Sequence, residues 1–160
     1  MSPAAQAHRA LSALGATVAT AESLTGGLIG AALTSVAGAS ATYRGGVVAY
    51  ATDLKSALLG VPAGLLAAHG AVHPDVARAM AAGARERLGA TFGLAVTGVA
   101  GPEPQDGREV GTVFCAVAGP GSAVRVDELR LNGARAAIRD QTVEQALRFL
   151  IAEVARTTHK

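Results

Sequence analysis

Apolar positions along the chain fall into two patterns, a helical period near 3.6 and short continuous runs typical of buried strands. Ala7, Ala10, Leu11 and Leu14 share one face of a helix predicted over Pro3 to Leu14, and Gly15 follows as its C-terminal cap. Ala16 to Thr20 carries β-branched residues at 17, 18 and 20 and reads as a strand. A helical pattern from Leu28 to Val36 follows a glycine-rich turn, and Gly45 to Tyr50 reads as the second strand. Asp53 stands as the cap of a short helix from Leu54 to Leu59, which Gly60 and Pro62 end. Gly64 to Ala68 is a small helix and Asp75 to Leu88 a longer one, with Pro74 near its start and Gly89 past its end. Ala90 to Val96 is a buried-type strand, and Glu103 to Glu109 a polar loop. Val110 to Ala118 and Ala123 to Leu131 read as a hairpin around Gly119-Pro120-Gly121, and Ala134 to Ala155 as a long closing helix. There are no internal repeats and no linker. The pattern predicts an α/β fold: a single three-layer α/β/α domain over residues 1–160, with a mixed sheet and helices on both faces.

Composition narrows the function. A chain of 160 residues with 50% hydrophobic and 16% charged residues can bury a core without disulfides or a structural metal. The net charge is +2, no basic run occurs, and aromatics are 3% of residues. Both the electrostatic footprint and the stacking platforms of a nucleic-acid binder are missing. Cys115 is the sole cysteine, and no Cys/His cluster has zinc spacing, so neither an internal disulfide nor a metal is expected. The stretch from Met1 to Leu14 lacks the apolar region of a signal peptide, and no apolar run is long enough to span a membrane. The expectation is a soluble, reduced, cytoplasmic protein with no membrane partner.

Three glycine-rich segments lie next to predicted strands, where open α/β sheets bind ligands. In the first, Glu22-Ser23-Leu24-Thr25-Gly26-Gly27, a dinucleotide fingerprint would need glycine at 25, 27 and 30, and position 25 is Thr. A tight strand–helix turn is the plain reading. The functional one places Ser23 as a nucleophile beside the backbone amides of Thr25 to Gly27, which suit an oxyanion hole.

A serine hydroxyl needs a base. The four histidines are His8, His69, His73 and His159, and none has an acidic orienter in a familiar order, so a Ser-His-Asp triad is a weak match. Lys55 is the sharper candidate. Apart from the terminal Lys160 it is the only lysine, against 12 arginines, as if arginine supplied the solvated positive charge. An amine can lose its proton where a guanidinium cannot. Burial or nearby positive charge would lower its pKa far enough. Tyr50 lies five residues before Lys55, a spacing that does not fit the Tyr-x-x-x-Lys pair of short-chain dehydrogenases. It is either an aromatic filler on its strand or an orienter and proton relay for Ser23. The third segment, Thr97 to Pro102, offers amides and the Thr97 hydroxyl to a phosphate or carboxamide. Arg135 and Arg139, one turn apart on the last helix, suit either a phosphate grip or a solvated face.

Several ordered blocks resemble one family. They are Ala21-Glu22-Ser23-Leu24-Thr25-Gly26-Gly27, Gly45 to Tyr50 with Lys55 following, His69-Gly70-Ala71-Val72, Thr97 to Pro102, and Val110-Gly111-Thr112-Val113. Together they resemble the C-terminal domain of the competence/damage-inducible protein CinA over about residues 5–155. Stand-alone members of that family are nicotinamide-nucleotide amidohydrolases. The resemblance implies hydrolysis of nicotinamide mononucleotide to nicotinate mononucleotide and ammonia, in pyridine-nucleotide recycling, with no cofactor or metal. It implies Ser23 as nucleophile with Tyr50 and Lys55 beside it. With the turn residues Thr25, Gly26 and Gly27, it points to Ser40, Thr97, Gly98, Arg135 and Arg139 for substrate contacts. It also implies self-association into a homo-oligomer. Two departures stand out. His73 occupies a position where the family usually has Ser, and the chain shows no molybdopterin-binding-like domain before the matched region, so it reads as the short form. The competing expectation is a non-catalytic regulatory module linked to competence or DNA damage. Such a module has no need for Ser, Tyr and Lys beside three glycine-rich segments.

Overall fold

The computed structural model describes residues 1–158, apart from the side chain of Ser122; His159 and Lys160 lie outside the described residues. The elements, in order, are α1 (Pro3–Leu14), β1 (Val18–Glu22), α2 (Leu28–Thr34), β2 (Tyr43–Val48), α3 (Thr52–Leu59), α4 (Ala63–His69) and α5 (Pro74–Arg87). They continue with β3 (Phe92–Gly98), β4 (Thr112–Ala118), β5 (Val124–Arg130) and α6 (Arg135–Thr157). A short 3-10 helix, Ala39–Ala41, precedes β2. The five strands form one mixed sheet in the order β2-β1-β3-β4-β5. The β1–β2 and β1–β3 pairs are parallel, and the β3–β4 and β4–β5 pairs antiparallel.

Alternation along the central strands divides the core in two. Val18, Leu94, Val96, Val113 and Cys115 face one side and pack with α1, α2 and α6 through Leu11, Ile29, Ile138 and Leu150. Ala19, Ala21, Ala95, Phe114 and Ala116 face the other and pack with α3 and α5 through Leu59, Val76 and Met80. The three-layer α/β/α arrangement and the mixed sheet are therefore as the sequence predicts. The second face is built from small residues, which lets helix backbone approach closely. A Cβ at Gly93 of β3 would run into the Ala81 carbonyl of α5, and one at Gly83 of α5 into the Leu59 carbonyl of α3.

Local boundaries differ where pairing overrides propensity. β1 runs to Glu22, two residues beyond its β-branched stretch, because Glu22 is in register with both Val48 and Val96. β2 begins at Tyr43 and ends at Val48, so Tyr50 lies past the strand rather than on it. α3 starts at Thr52, which puts Asp53 in its first turn, and its N-cap is Ala51. His73 is the N-cap of α5, its Nδ1 accepting from the Asp75 N–H at 3.1 Å.

Candidate active site

β1, β2 and β3 are mutually parallel, so their carboxyl ends open on one side of the sheet. The chain leaving β1 supplies Ser23, the chain leaving β2 supplies Ala49 and Tyr50, and β3 leads into Gly98 to Gly101. Lys55 enters from the second turn of α3. Its side chain is 1% exposed, yet its Nζ has three oxygen partners: Ser23 Oγ at 2.9 Å, the Ala49 carbonyl at 2.7 Å and the Tyr50 carbonyl at 3.2 Å. Three donors on an ammonium match three acceptors. An amine with one proton fewer still serves both carbonyls and turns its lone pair toward the Ser23 hydroxyl. Burial lowers the Lys55 pKa to about 8, against an opposing pull from the Asp106 carboxylate.

The turn that carries Ser23 is held from two sides. Glu22, 2% exposed, accepts from the Thr25 hydroxyl at 2.6 Å and from the N–H groups of Gly27 (3.2 Å), Ile29 (2.9 Å) and Gly30 (3.0 Å). Arg139 donates to the Leu24 carbonyl at 2.9 Å and the Thr25 carbonyl at 3.4 Å. The Gly26 N–H closes the turn onto the Ser23 carbonyl at 3.1 Å. Thus the amides of Gly26 and Gly27, expected to face a ligand, are already engaged. Those of Leu24 and Thr25 make no hydrogen bond among the described residues.

Beside Ser23 lies a cleft of about 120 Å³ lined by Tyr50, Gly98, Ala100, Gly101, Glu103 and Arg135, among others. This is below the roughly 300 Å³ lower bound of ordinary ligand pockets, so only part of a nucleotide-sized ligand would sit inside. Arg135 donates to the Gly101 carbonyl at 2.6 Å and to the Tyr50 hydroxyl at 3.3 Å, which joins both residues at the rim. The Tyr50 ring is 61% exposed. It meets Lys55 through its backbone carbonyl, and its hydroxyl oxygen accepts from Arg135.

The other expected contacts are distributed differently. Gly98 lines the cleft, where a Cβ would meet the Thr112 carbonyl at 2.7 Å. The hydroxyls of Thr25 and Thr97 point inward: the first is on Glu22, the second donates to the Ala71 carbonyl at 2.8 Å. Gly26 and Gly27 shape the turn through positive φ angles of 57° and 106°. Arg139 braces the turn instead of joining Arg135 at the rim. Ser40 is exposed in the 3-10 helix before β2, at the opposite end of the parallel strands from Ser23. His69 and His73 stack on each other with ring centroids 4.2 Å apart, and neither bonds Ser23. Among the described residues there is no cluster of three or more His, Cys, Asp or Glu. No helix there is long and apolar enough to cross a membrane.

Three participants were not singled out from sequence. Glu22 had a readable signal, an acid between a buried strand and a helix N-terminus. Asp106 had a weaker one, an Asp-Gly pair; it takes φ 52° and caps the Ala71 N–H at 2.8 Å. Glu103 at the rim had none.

Known proteins share this architecture and these blocks. The chain is 57% identical to a CinA-like protein of Frankia casuarinae over 132 residues, covering 82% of the chain and 30% of the relative. It is 52% identical over 135 residues to a putative competence-damage inducible protein of Desulforamulus reducens, covering 84% and 33%. The chain thus spans about a third of the length of these curated relatives. Among solved structures, a CinA superfamily protein from Klebsiella pneumoniae superposes with TM-score 0.92 at 35% identity, covering 96% of each chain. A competence/damage inducible protein from Agrobacterium tumefaciens superposes with TM-score 0.88 at 42% identity, covering 94% of each. The family model of the CinA C-terminal domain matches residues 1–154, which takes in Ser23, Lys55 and the whole cleft, and the chain belongs to that family.

Proposed function

We propose that this chain is a serine amidohydrolase acting on a nicotinamide nucleotide, converting nicotinamide mononucleotide to nicotinate mononucleotide and ammonia. The observation that carries the reading is the 2.9 Å contact between a buried, pKa-lowered Lys55 and Ser23 Oγ. A lysine this deep is costly unless its amine has a task.

In this reading neutral Lys55 takes the Ser23 proton as Oγ bonds to the carboxamide carbon. The N–H of Leu24, a residue lining the cleft beside Ser23, has no partner among the described residues and would receive the oxyanion. Lys55 then passes its proton to the departing nitrogen, the C–N bond breaks, and ammonia leaves an ester on Ser23. A water gives a proton to Lys55 and attacks that ester, and the proton returns to Ser23 Oγ as the acid departs. The ring end of the substrate fills the small cleft, and its phosphate reaches the exposed guanidinium of Arg135 at the rim. Tyr50 accepts from Arg135 and walls the cleft, and Lys55, in direct contact with Ser23 Oγ, takes the proton without a relay. Self-association and a cytoplasmic location belong to the same reading. The former has support from Val48 on the edge strand β2 and Leu58 on α3, two large apolar side chains that are exposed.

The test is ammonia release from nicotinamide mononucleotide with a chelator present and Ser23→Ala as control. Release by the wild type alone supports the reading. Equal release by Ser23→Ala removes Ser23 as nucleophile, and no release from either points to another carboxamide or to a non-catalytic module.

A further inference from the structure

We infer that Glu22 is a positioning residue for Ser23, its buried carboxylate setting the geometry of the nucleophile turn; the inference rests on Ser23 as the nucleophile. All four of its contacts are donors: the Thr25 hydroxyl and the N–H groups of Gly27, Ile29 and Gly30. Three converge on Oε1 and one on Oε2, so both oxygens are used, and among the described residues no cation pairs with the group. The carboxylate sits where α2 exposes its free amides, so it acts as a built-in anion for that helix start.

The arrangement does more than cap a helix. Glu22 gathers donors from the turn's far side, while Arg139 gathers the Leu24 and Thr25 carbonyls. With its carbonyls held by Arg139 and its later amides by Glu22, the turn leaves the Leu24 and Thr25 amides without partners among the described residues. It also fixes Ser23 Oγ at 2.9 Å from Lys55. A shift of this turn by a fraction of an ångström would separate nucleophile from base without touching either.

The isosteric variant Glu22→Gln isolates the effect. A carboxamide keeps one acceptor oxygen and replaces the other with an NH2 group, which faces an N–H donor whichever way it is turned. Thr25→Val removes the shortest of the four contacts without a change of volume, and keeps the test open should Glu22→Gln not fold.

The experiment follows Ser23 directly, independent of any substrate, through its rate of labelling by phenylmethylsulfonyl fluoride, read by mass spectrometry. There the Oγ–S bond forms, fluoride leaves, and the hydroxyl proton goes to Lys55. Folding is checked by circular dichroism. Glu22→Gln is expected to label about 100-fold more slowly and Thr25→Val about 10-fold more slowly, at full folded content. The pH midpoint of the labelling rate should stay near the Lys55 value of about 8 in both. With nicotinamide mononucleotide, kcat should fall while KM moves less than about 3-fold. A purely structural Glu22 would lower rates only in step with folded content, and that result overturns the inference. Unchanged labelling in folded Glu22→Gln, or in Thr25→Val if the former does not fold, overturns it too. Failure of the wild type to label at Ser23 defeats the nucleophile reading and this inference with it; labelling of the wild type and equal labelling of the variants defeats this inference alone.

Discussion

Lys55 and Ser23 lie 32 residues apart in the chain, and their side-chain tips meet at 2.9 Å, buried at the base of the cleft. The parallel β1–β2 pair brings this about, because it puts the exits of both strands at one end of the sheet. Lys55 then returns from α3 to the carbonyls that follow β2 and to the turn that follows β1. Burial holds its pKa near 8, so a sizeable neutral fraction exists at physiological pH. In the proposed mechanism the base is the neutral amine, so kcat/KM should rise with pH and level off above about 8. Lys55→Arg keeps the charge and removes the base, and should lower kcat by about 10³-fold or more. A flat pH profile, or a Lys55→Arg variant near full activity, would reduce Lys55 to an electrostatic role.

Asp106 gives a way to move that limb. Its carboxylate raises the Lys55 pKa against the larger effect of burial. Asp106→Asn removes the charge, and its side-chain oxygen can still accept the Ala71 N–H. The Lys55 pKa should therefore fall, and the rising limb of kcat/KM should move to lower pH, with the plateau rate little changed. A limb that moves upward, or stays in place in a well-folded variant, would break the proposed link between Asp106 and Lys55. The measurement is a pH–rate profile of the variant beside the wild type.

The same burial has a thermodynamic consequence with a definite sign. In the unfolded chain Lys55 titrates near its ordinary 10.5, and in the folded chain near 8. Between those values the unfolded state binds more protons, so unfolding free energy contributed by Lys55 rises with pH. Below about 8 both states are protonated and the penalty is fully present. Lys55→Met fills similar space and does not titrate. Relative to that variant, the wild type should gain about 3 kcal/mol of stability as pH rises from about 8 to 10.5. The difference cancels the other titrating groups, and its change with pH removes the fixed offset left by the lost hydrogen bonds. Urea denaturation of both proteins across this window measures it, and a constant difference would mean that the two states share one Lys55 pKa.

Much of this was legible before any coordinates. Periodicity locates all the principal helices and strands, and the rarity of lysine singles out Lys55. What was not legible is direction. Thr25, Thr97 and Arg139 have the right chemistry for a ligand, yet each is spent inside the protein, on Glu22, on the Ala71 carbonyl and on the turn carbonyls. Arginine was read as solvated charge, but Arg44, Arg85, Arg87 and Arg108 donate to the carbonyls of Leu88, Thr91, Leu58 and Val72. A planar fork of donors suits that work better than an ammonium, so composition alone could not separate it from surface charge. Tyr50 misplaced itself for a related reason: its β propensity is real, but pairing ends at Val48.

Arg135 and Arg139 carry the last prediction, because sequence treats them alike and the structure does not. They are one turn apart on α6. Arg135 is exposed at the cleft rim, and beyond its bonds to the Gly101 carbonyl and the Tyr50 hydroxyl it retains donors for a substrate anion. Arg139 is half-buried with its donors on the Leu24 and Thr25 carbonyls. Hydrogen bonds to charged groups contribute about 1.5–3 kcal/mol, so Arg135→Ala should raise KM for nicotinamide mononucleotide about 10- to 100-fold. It should change little with nicotinamide riboside, which lacks the phosphate. Arg139→Ala loosens the nucleophile turn and should lower kcat for both substrates by a similar factor, without telling them apart. Steady-state kinetics of the two variants on the two substrates separate the roles. If Arg139→Ala is the variant that discriminates between them, the phosphate contact moves from the rim to the turn, and the grip assigned to Arg135 is wrong.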